Sequence, residues 1–262
     1  MSTVAHVGED YLEKAARLVA EAKRGSYERM TLRPGMAVLD VGCGPGIDTV
    51  ELARLVGGGA TVGIDRDPEM VRRADVRAVE AGMAAWVEHH QGDAAALPFA
   101  NDSFDAVRCE RLLQHVADPA NVLAEMVRVA RPGGRVVALD TDWGSHSVDG
   151  PSVPTERALA RTLAETSLTN GYSGRRLYGL MKAAGLSGVT VESIALSFTD
   201  YSFWRMITRQ DVVEGEAELA GLVDAGALGR WREEMVQKDE QATFFASVNM
   251  VLVCGSKPGM NI

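Results

Sequence analysis

The sequence predicts one α/β domain: a mostly parallel seven-stranded sheet with helices on both faces. Three observations carry this. Short apolar runs alternate with amphipathic helical patterns from residue 36 to residue 140, and such alternation argues for a parallel sheet covered on both sides. The first run, Val38-Leu39-Asp40-Val41, feeds the glycine loop Gly42-Cys43-Gly44-Pro45-Gly46, and a helical pattern follows at once. At 262 residues and 46% hydrophobic content, the chain can bury one large core of its own.

The elements follow in order. Residues 11–30 read as a helix, with Leu12, Ala15, Ala16, Val19 and Ala20 spaced for one face. Leu32-Arg33-Pro34-Gly35 breaks it and turns the chain into the strand over 36–41. Further strands are predicted over 61–65, 86–91, 104–109 and 134–140, with helices over 47–56, 67–81 and 119–130. Asp67 is the expected N-cap of the second of these helices, with Pro68 in its first turn. Residues 141–154, rich in Asp, Gly, Ser and Pro, read as a loop. Two helices are expected over 154–168 and 173–184, the latter ended by Gly185. Strands over 189–198 and 243–254 flank a long, mostly helical insertion, 199–241. The organisation expected is an N-terminal helical cover (1–35), a ligand-binding core (36–140) and a substrate-side half (141–262) whose insertion acts as a lid.

Composition narrows the function. The net charge of −9 argues against a broad nucleic-acid footprint. Cys43, Cys109 and Cys254 are far apart and form no CxxC or Cys/His ligand pattern, so buried thiols in a reducing compartment are expected. No apolar run approaches the roughly 18 residues of a membrane span. Residues 1–10 lack the basic region and apolar stretch of a signal peptide, so the expected location is cytoplasmic.

The glycine loop alone is a weak signal. It gains weight from Val62-Gly63-Ile64-Asp65, a strand ending in an acid about 20 residues on, which typically reaches ribose hydroxyls. Gly92-Asp93-Ala94 and Phe104-Asp105-Ala106-Val107 follow. In this order the set resembles the class I S-adenosylmethionine (SAM)-dependent methyltransferases, and most closely the branch of the ubiquinone/menaquinone-biosynthesis and related small-molecule methyltransferases. The fold implied is Rossmann-like, with the last strand antiparallel in an edge hairpin. The glycine spacing and Asp40 favour this family over the GxGxxG nicotinamide dehydrogenases.

The resemblance implies SAM as cofactor and S-adenosylhomocysteine as product. It places Gly42, Cys43, Gly44 and Gly46 at the methionyl part, within reach of backbone N–H groups. Asp65 is expected on the ribose, since a carboxylate can accept from both hydroxyls of a diol. Arg66 is expected to pack on adenine, with Met70 near ribose or adenine. Gly92, Asp93 and Ala94 are expected at the adenine edge, and Cys109 and Glu110 beside the methionyl group. From the N-terminal helix, Tyr11 and Arg24 are candidates, Arg24 for the cofactor carboxylate.

His115 is a candidate general base, because imidazole titrates near neutrality. His146 is a second catalytic candidate and, with Trp143 and Trp204, a candidate substrate contact. His89 and His90 are adjacent in a strand pattern and point to opposite faces, and no metal site is expected. The Asn-Pro-Pro-Tyr type motif of base and amide N-methyltransferases is absent after the fourth strand, where Cys109-Glu110-Arg111 stands. The expected partner is a small, hydrophobic or aromatic methyl acceptor, with no nucleic acid, in a monomer or homodimer. A SAM-binding cyclase or pericyclase on the same fold, and a non-catalytic SAM-binding module, are the alternatives.

Overall fold

The computed structural model describes residues 9–259, and the side chains of the first helix from Leu18 onward. The elements are α1 (Glu9–Met30), β1 (Val38–Val41), α2 (Ile47–Val56), β2 (Thr61–Asp65), α3 (Pro68–Glu80), β3 (Val87–Gln91), β4 (Phe104–Glu110), a 3₁₀ turn (Leu113–His115), α4 (Pro119–Val129), β5 (Ala130–Val148), α5 (Val153–Glu165), α6 (Ser173–Ala183), β6 (Ser187–Phe198), α7 (Tyr201–Thr208), α8 (Gln210–Leu219), α9 (Ala225–Glu240) and β7 (Ala246–Ser256).

The seven strands form one sheet in the order β3-β2-β1-β4-β5-β7-β6. Strands β1 to β5 run parallel, and β7 is antiparallel to both β5 and β6. Chain order reverses between β1 and β4, and ligands of open α/β sheets bind at such a switch point, beyond the strands' C-terminal ends. The β1–β4 register sets Asp40 beside Arg108 and Val41 beside Cys109. Alternation then sends Asp40 and Arg108 to one face and Val41 and Cys109 to the other.

Two large cores cover the two faces. One joins Leu39, Val41, Val107 and Cys109 to α4 (Val122, Met126) and α6 (Leu177, Met181). The other joins Val38 and Ala106 to α1, α2, α5 and the whole helical insertion, including Trp204, Val213, Trp231 and Met235. The insertion thus shares a continuous interior with the sheet.

The expected loop over 141–154 is corrected. β5 continues to Val148, pairing Thr141 with Met250 and, after an irregularity between Asp142 and Ser147, Val148 with Ala246. Its Asp, Gly and Ser residues argue for a loop, but a neighbouring strand β7 of 11 residues supplies backbone partners along this length.

Candidate active site

A cleft of about 230 Å³ opens at the C-terminal ends of β1, β2 and β4. Gly42, Asp65 and Arg66 form one side, Gly92, Asp93 and Ala94 another, and Glu110, Arg111, Leu112 and His115 the third. Ile64 and Val116 add apolar wall. Gly42 has φ 74°, and a Cβ there would lie 2.9 Å from Leu112 Cδ1. Both facts favour glycine, which enters the left-handed region without steric cost.

The loop amides do less than the sequence suggests. The Gly42 and Cys43 N–H groups donate to the Ile64 carbonyl at 2.8 and 3.0 Å, and Gly46 N–H donates to Cys43 O at 3.1 Å. Gly44 N–H donates to Asp65 Oδ2 at 2.9 Å, while Asp65 Oδ1 accepts from Asp67 N–H at 2.9 Å. Asp65 therefore ties the glycine loop to the start of α3. Each of its oxygens keeps a lone pair for a further donor. Asp93 Oδ1 accepts from Ala95 N–H at 2.9 Å, so one of its oxygens holds the turn.

Of the residues expected around the cofactor, Gly42, Asp65, Arg66, Gly92, Asp93, Ala94 and Glu110 line the cleft. Cys43, Gly44, Gly46 and Met70 stand off its wall. Cys109 is corrected: its side chain is buried in the α4-side core, because strand alternation turns it away from Glu110. Arg24 is corrected as well: it is exposed on α1. The inward basic residue is its neighbour Lys23, beside the buried stripe Val19, Ala22, Ser26 and Met30. Tyr11's side chain lies outside the described residues.

Sequence reasoning also missed a charge cluster under the cleft. Arg108 is fully buried on β4. Its Nη2 is 2.7 Å from Glu110 Oε2, and its Nη1 is 3.5 Å from both Asp40 Oδ1 and Asp48 Oδ2. Its guanidinium carbon sits 5.1 Å from the centroid of the Tyr27 ring. Lys23 Nζ reaches Asp48 Oδ2 at 2.8 Å and Glu110 Oε2 at 3.4 Å, and the Tyr27 hydroxyl donates to Asp48. Burial pushes the Asp40 carboxyl up to about 7 against the pull of Arg108. Burial opposes the Asp48 carboxylate too, yet Arg108 and Lys23 hold it well below the ordinary range. The available signal was Arg108 set within the apolar stretch Ala106-Val107 and Cys109 at the middle of β4, a position where a buried arginine must find carboxylates.

The candidates on the substrate side divide. His115 ends the 3₁₀ turn and lines the cleft; burial and then Arg66 and Arg111 lower its pKa. Trp143 Nε1 donates to Gln114 Oε1 at 2.8 Å, beside His115. His146 and Trp204 are corrected. His146 is 3% exposed and Trp204 0%, they hydrogen-bond to one another, and neither lines the cleft. The extension of β5 and the packing of α7 on it carry this pair into the core. Among the described residues no group of three or more His, Cys, Asp or Glu side chains could hold a metal ion.

The cleft fits a cationic nucleoside. Its wall carries the carboxylates of Asp65, Asp93 and Glu110, with Ile64, Leu112 and Val116 as apolar surface for a flat base. A family model for the methyltransferase domain matches residues 32–188. The chain belongs to the class I SAM-dependent methyltransferases. An uncharacterized 37.1 kDa protein in transposon TN4556 of Streptomyces fradiae is 37% identical over 249 residues, 93% of this chain and 69% of that protein. The demethylmenaquinone methyltransferase of Desulfitobacterium hafniense is 34% identical over 119 residues, 45% of this chain and 47% of that enzyme; the match thus spans about half the length of that relative. A Bacillus halodurans protein assigned as a methyltransferase shares the fold, with TM-score 0.67 and 20% identity over 91% of this chain and 99% of that one. The cofactor of this methyltransferase is SAM.

Proposed function

We propose that this methyltransferase modifies a small metabolite with a hydrophobic or aromatic body. The observation that carries the reading is the cleft at the β1/β4 switch point, with Asp65 fixed by two backbone amides on one side and Glu110 on the other. In this reading Asp65 accepts the ribose hydroxyls, Asp93 the adenine amino group, and Glu110 the methionyl ammonium. Bound SAM supplies a methyl group already activated on a sulfonium. The chain's own task is to orient the acceptor, exclude water and hold the charge cluster that sets the position of Glu110.

Several features support a small acceptor. The net charge of −9 suits a small molecule better than nucleic acid. Among the described residues no helix is long and apolar enough to cross a membrane. The relative from D. hafniense is named for a quinone-precursor substrate, which supports an aromatic acceptor. Cytoplasmic work as a monomer or homodimer completes the reading, with 1–35 as cover, 36–140 as cofactor core and 141–262 as the acceptor side. Calorimetry with SAM and S-adenosylhomocysteine, followed by a mass-spectrometric screen of metabolites for a methyl adduct, tests it. Binding of neither by folded protein overturns the cofactor assignment, and turnover only of macromolecular acceptors overturns the small-molecule reading.

A further inference from the structure

A hydrogen-bond chain beside the cleft fixes which nitrogen of His115 carries its proton. Trp143 Nε1 lies 2.8 Å from Gln114 Oε1. An indole N–H only donates, so the amide oxygen of Gln114 must face it. The amide nitrogen then points the other way, 3.4 Å from the Arg111 carbonyl oxygen and 3.0 Å from His115 Nε2. That nitrogen also only donates, so His115 Nε2 is the acceptor, and a neutral ring must carry its hydrogen on Nδ1. Gln114 is held in place: its N–H donates to Asp140 Oδ2 at 3.1 Å and its carbonyl accepts from Asn170 N–H at 3.0 Å.

The surroundings of the ring favour the neutral form. Burial, Arg66 and Arg111 lower its pKa, and both arginines share the cleft wall with it. Arg111 is held there in the left-handed region, with φ 50°, a conformation that costs a non-glycine residue energy and that clusters at functional sites. Its N–H donates to the Leu139 carbonyl at 2.8 Å. Of the carboxylates on the cleft wall, Glu110 lies 3.1 Å from Arg111 Nε and is already paired with Arg108, and Asp65 and Asp93 stand on the other sides.

We propose that His115 binds the methyl acceptor by donating Nδ1–H to an oxyanion (a phenolate, enolate or carboxylate), and that Gln114 and Trp143 are positioning residues that set this tautomer. The proposal rests on the reading that the cleft holds SAM with the acceptor at its mouth. Arg66 and Arg111, the charges that act on His115, offer cationic partners to an anion at this end of the cleft, while the carboxylates of Asp65, Asp93 and Glu110 line the rest of its wall. The lone pair on Nε2 is occupied by Gln114, so His115 in this arrangement is a donor and not the general base the sequence suggested. An acceptor that arrives ionised needs no base. It forms the new bond with its own lone pair, the sulfur keeps the electrons of the bond that breaks, and both end uncharged, leaving no proton to place.

Nitrogen-15 spectra of the histidine rings in the full chain, saturated with S-adenosylhomocysteine, test the tautomer without knowledge of the acceptor. His115 is identified by the signal lost in His115→Gln. The expected result is a neutral ring protonated on Nδ1 at about pH 7. A ring protonated on Nε2, or on both nitrogens, overturns the proposal. In Gln114→Glu the carboxylate can only accept, so protonation should move to Nε2. Should that variant not fold, Trp143→Phe removes the donor that orients Gln114, and both tautomers should appear; an unchanged Nδ1–H signal in the folded variant overturns the positioning roles. The acceptor class is tested with 4-nitrophenolate against nitrobenzene. The phenolate should bind at least roughly tenfold more tightly, shift the His115 signals, and lose its advantage in His115→Leu; equal binding of the two probes overturns the oxyanion assignment. Failure of S-adenosylhomocysteine to bind in calorimetry overturns the cofactor reading instead, so the two failures are distinguishable.

Discussion

Trp204 donates its indole N–H to His146 Nε2 at 2.8 Å, and the two rings stack with centroids 5.6 Å apart. The pair joins α7 to β5 in an interior that also contains Tyr201 and Phe244. A residue used in this way holds the insertion on the sheet. Trp204→Phe should therefore cost about 2 kcal/mol or more, because it leaves His146 Nε2 buried without a donor and opens a small cavity. SAM affinity should stay nearly unchanged. Thermal unfolding and calorimetry on the same variant check this; weaker cofactor binding without a stability loss would contradict it.

His146 also makes a pH prediction. Burial, and secondarily Arg157, lower its pKa from an ordinary 6.5 to about 4. The unfolded chain then binds this proton more readily than the folded one. The contribution is fully present above about pH 6.5 and is lost as pH falls toward 4, on the order of 3 kcal/mol in all. His146→Gln keeps an acceptor for Trp204 but does not titrate. Urea unfolding at several pH values should show the two proteins diverging across this window, the natural protein losing more. Parallel curves would remove His146 as the cause.

Asp65 holds the glycine loop and, in the proposed reading, the ribose, and its variants should report both. Its oxygens hold Gly44 N–H and Asp67 N–H, so Asp65→Ala should lose loop stability of about 1–2 kcal/mol together with cofactor affinity. The loss in SAM binding should exceed that of Asp93→Ala, whose carboxylate holds only the turn to Ala95. Calorimetry on both variants ranks them. A larger loss for Asp93→Ala would reverse the assignment of ribose and adenine edges.

Much of this was legible because the relevant physics is local. A strand that ends in glycines, and an acid one strand later, announce themselves at Gly42 and Asp65. The extension of β5 to Val148 was not legible, because it depends on the length of a partner strand about 100 residues away. The choice between Lys23 and Arg24 depends on one residue of helix phase, about 100°. Trp204 reads as a surface aromatic of a lid or as core with equal ease, and only the insertion's packing separates them. Gln114 carried no recognisable motif, because its role lies in the orientation of one amide between two side chains.

The glycine loop gives a contrast within five residues. Gly46 has φ 74°, and a Cβ there would lie 2.7 Å from Ala74 Cβ and 3.2 Å from His89 Nε2. His89 is itself fixed between Asp75 and Thr49, at 2.9 Å to each, and cannot retreat cheaply. Gly46→Ala should cost about 2–4 kcal/mol, combining left-handed backbone strain with overpacking. At Gly44, with φ 52°, nothing lies within 4 Å of the added methyl, so Gly44→Ala should cost only about 1 kcal/mol. Melting temperatures of the two variants decide it, and equal losses would show that strain alone governs the loop.

Arg108 carries the sharpest prediction on stability. It is the fully buried cation among Asp40, Asp48 and Glu110, with Lys23 at the edge of the group. Arg108→Met keeps an apolar stem and removes the charge, leaving three carboxylates with one cation. Breaking a buried pair in this way costs about 3–5 kcal/mol, most of it from the charge left behind. If that is the origin of the loss, removing a carboxylate should recover part of it. Asp40 is the one to remove, because burial already pushes its carboxyl up to about 7 and, among the described residues, no side-chain hydrogen bond holds its charge as Tyr27 and Lys23 hold that of Asp48. Arg108→Met with Asp40→Asn should therefore be more stable than Arg108→Met alone, with a coupling of about 1–3 kcal/mol in a double-mutant cycle. Additive losses would mean that Arg108 stabilises through packing against Tyr27, and that the charges beneath the cleft do not act as a unit.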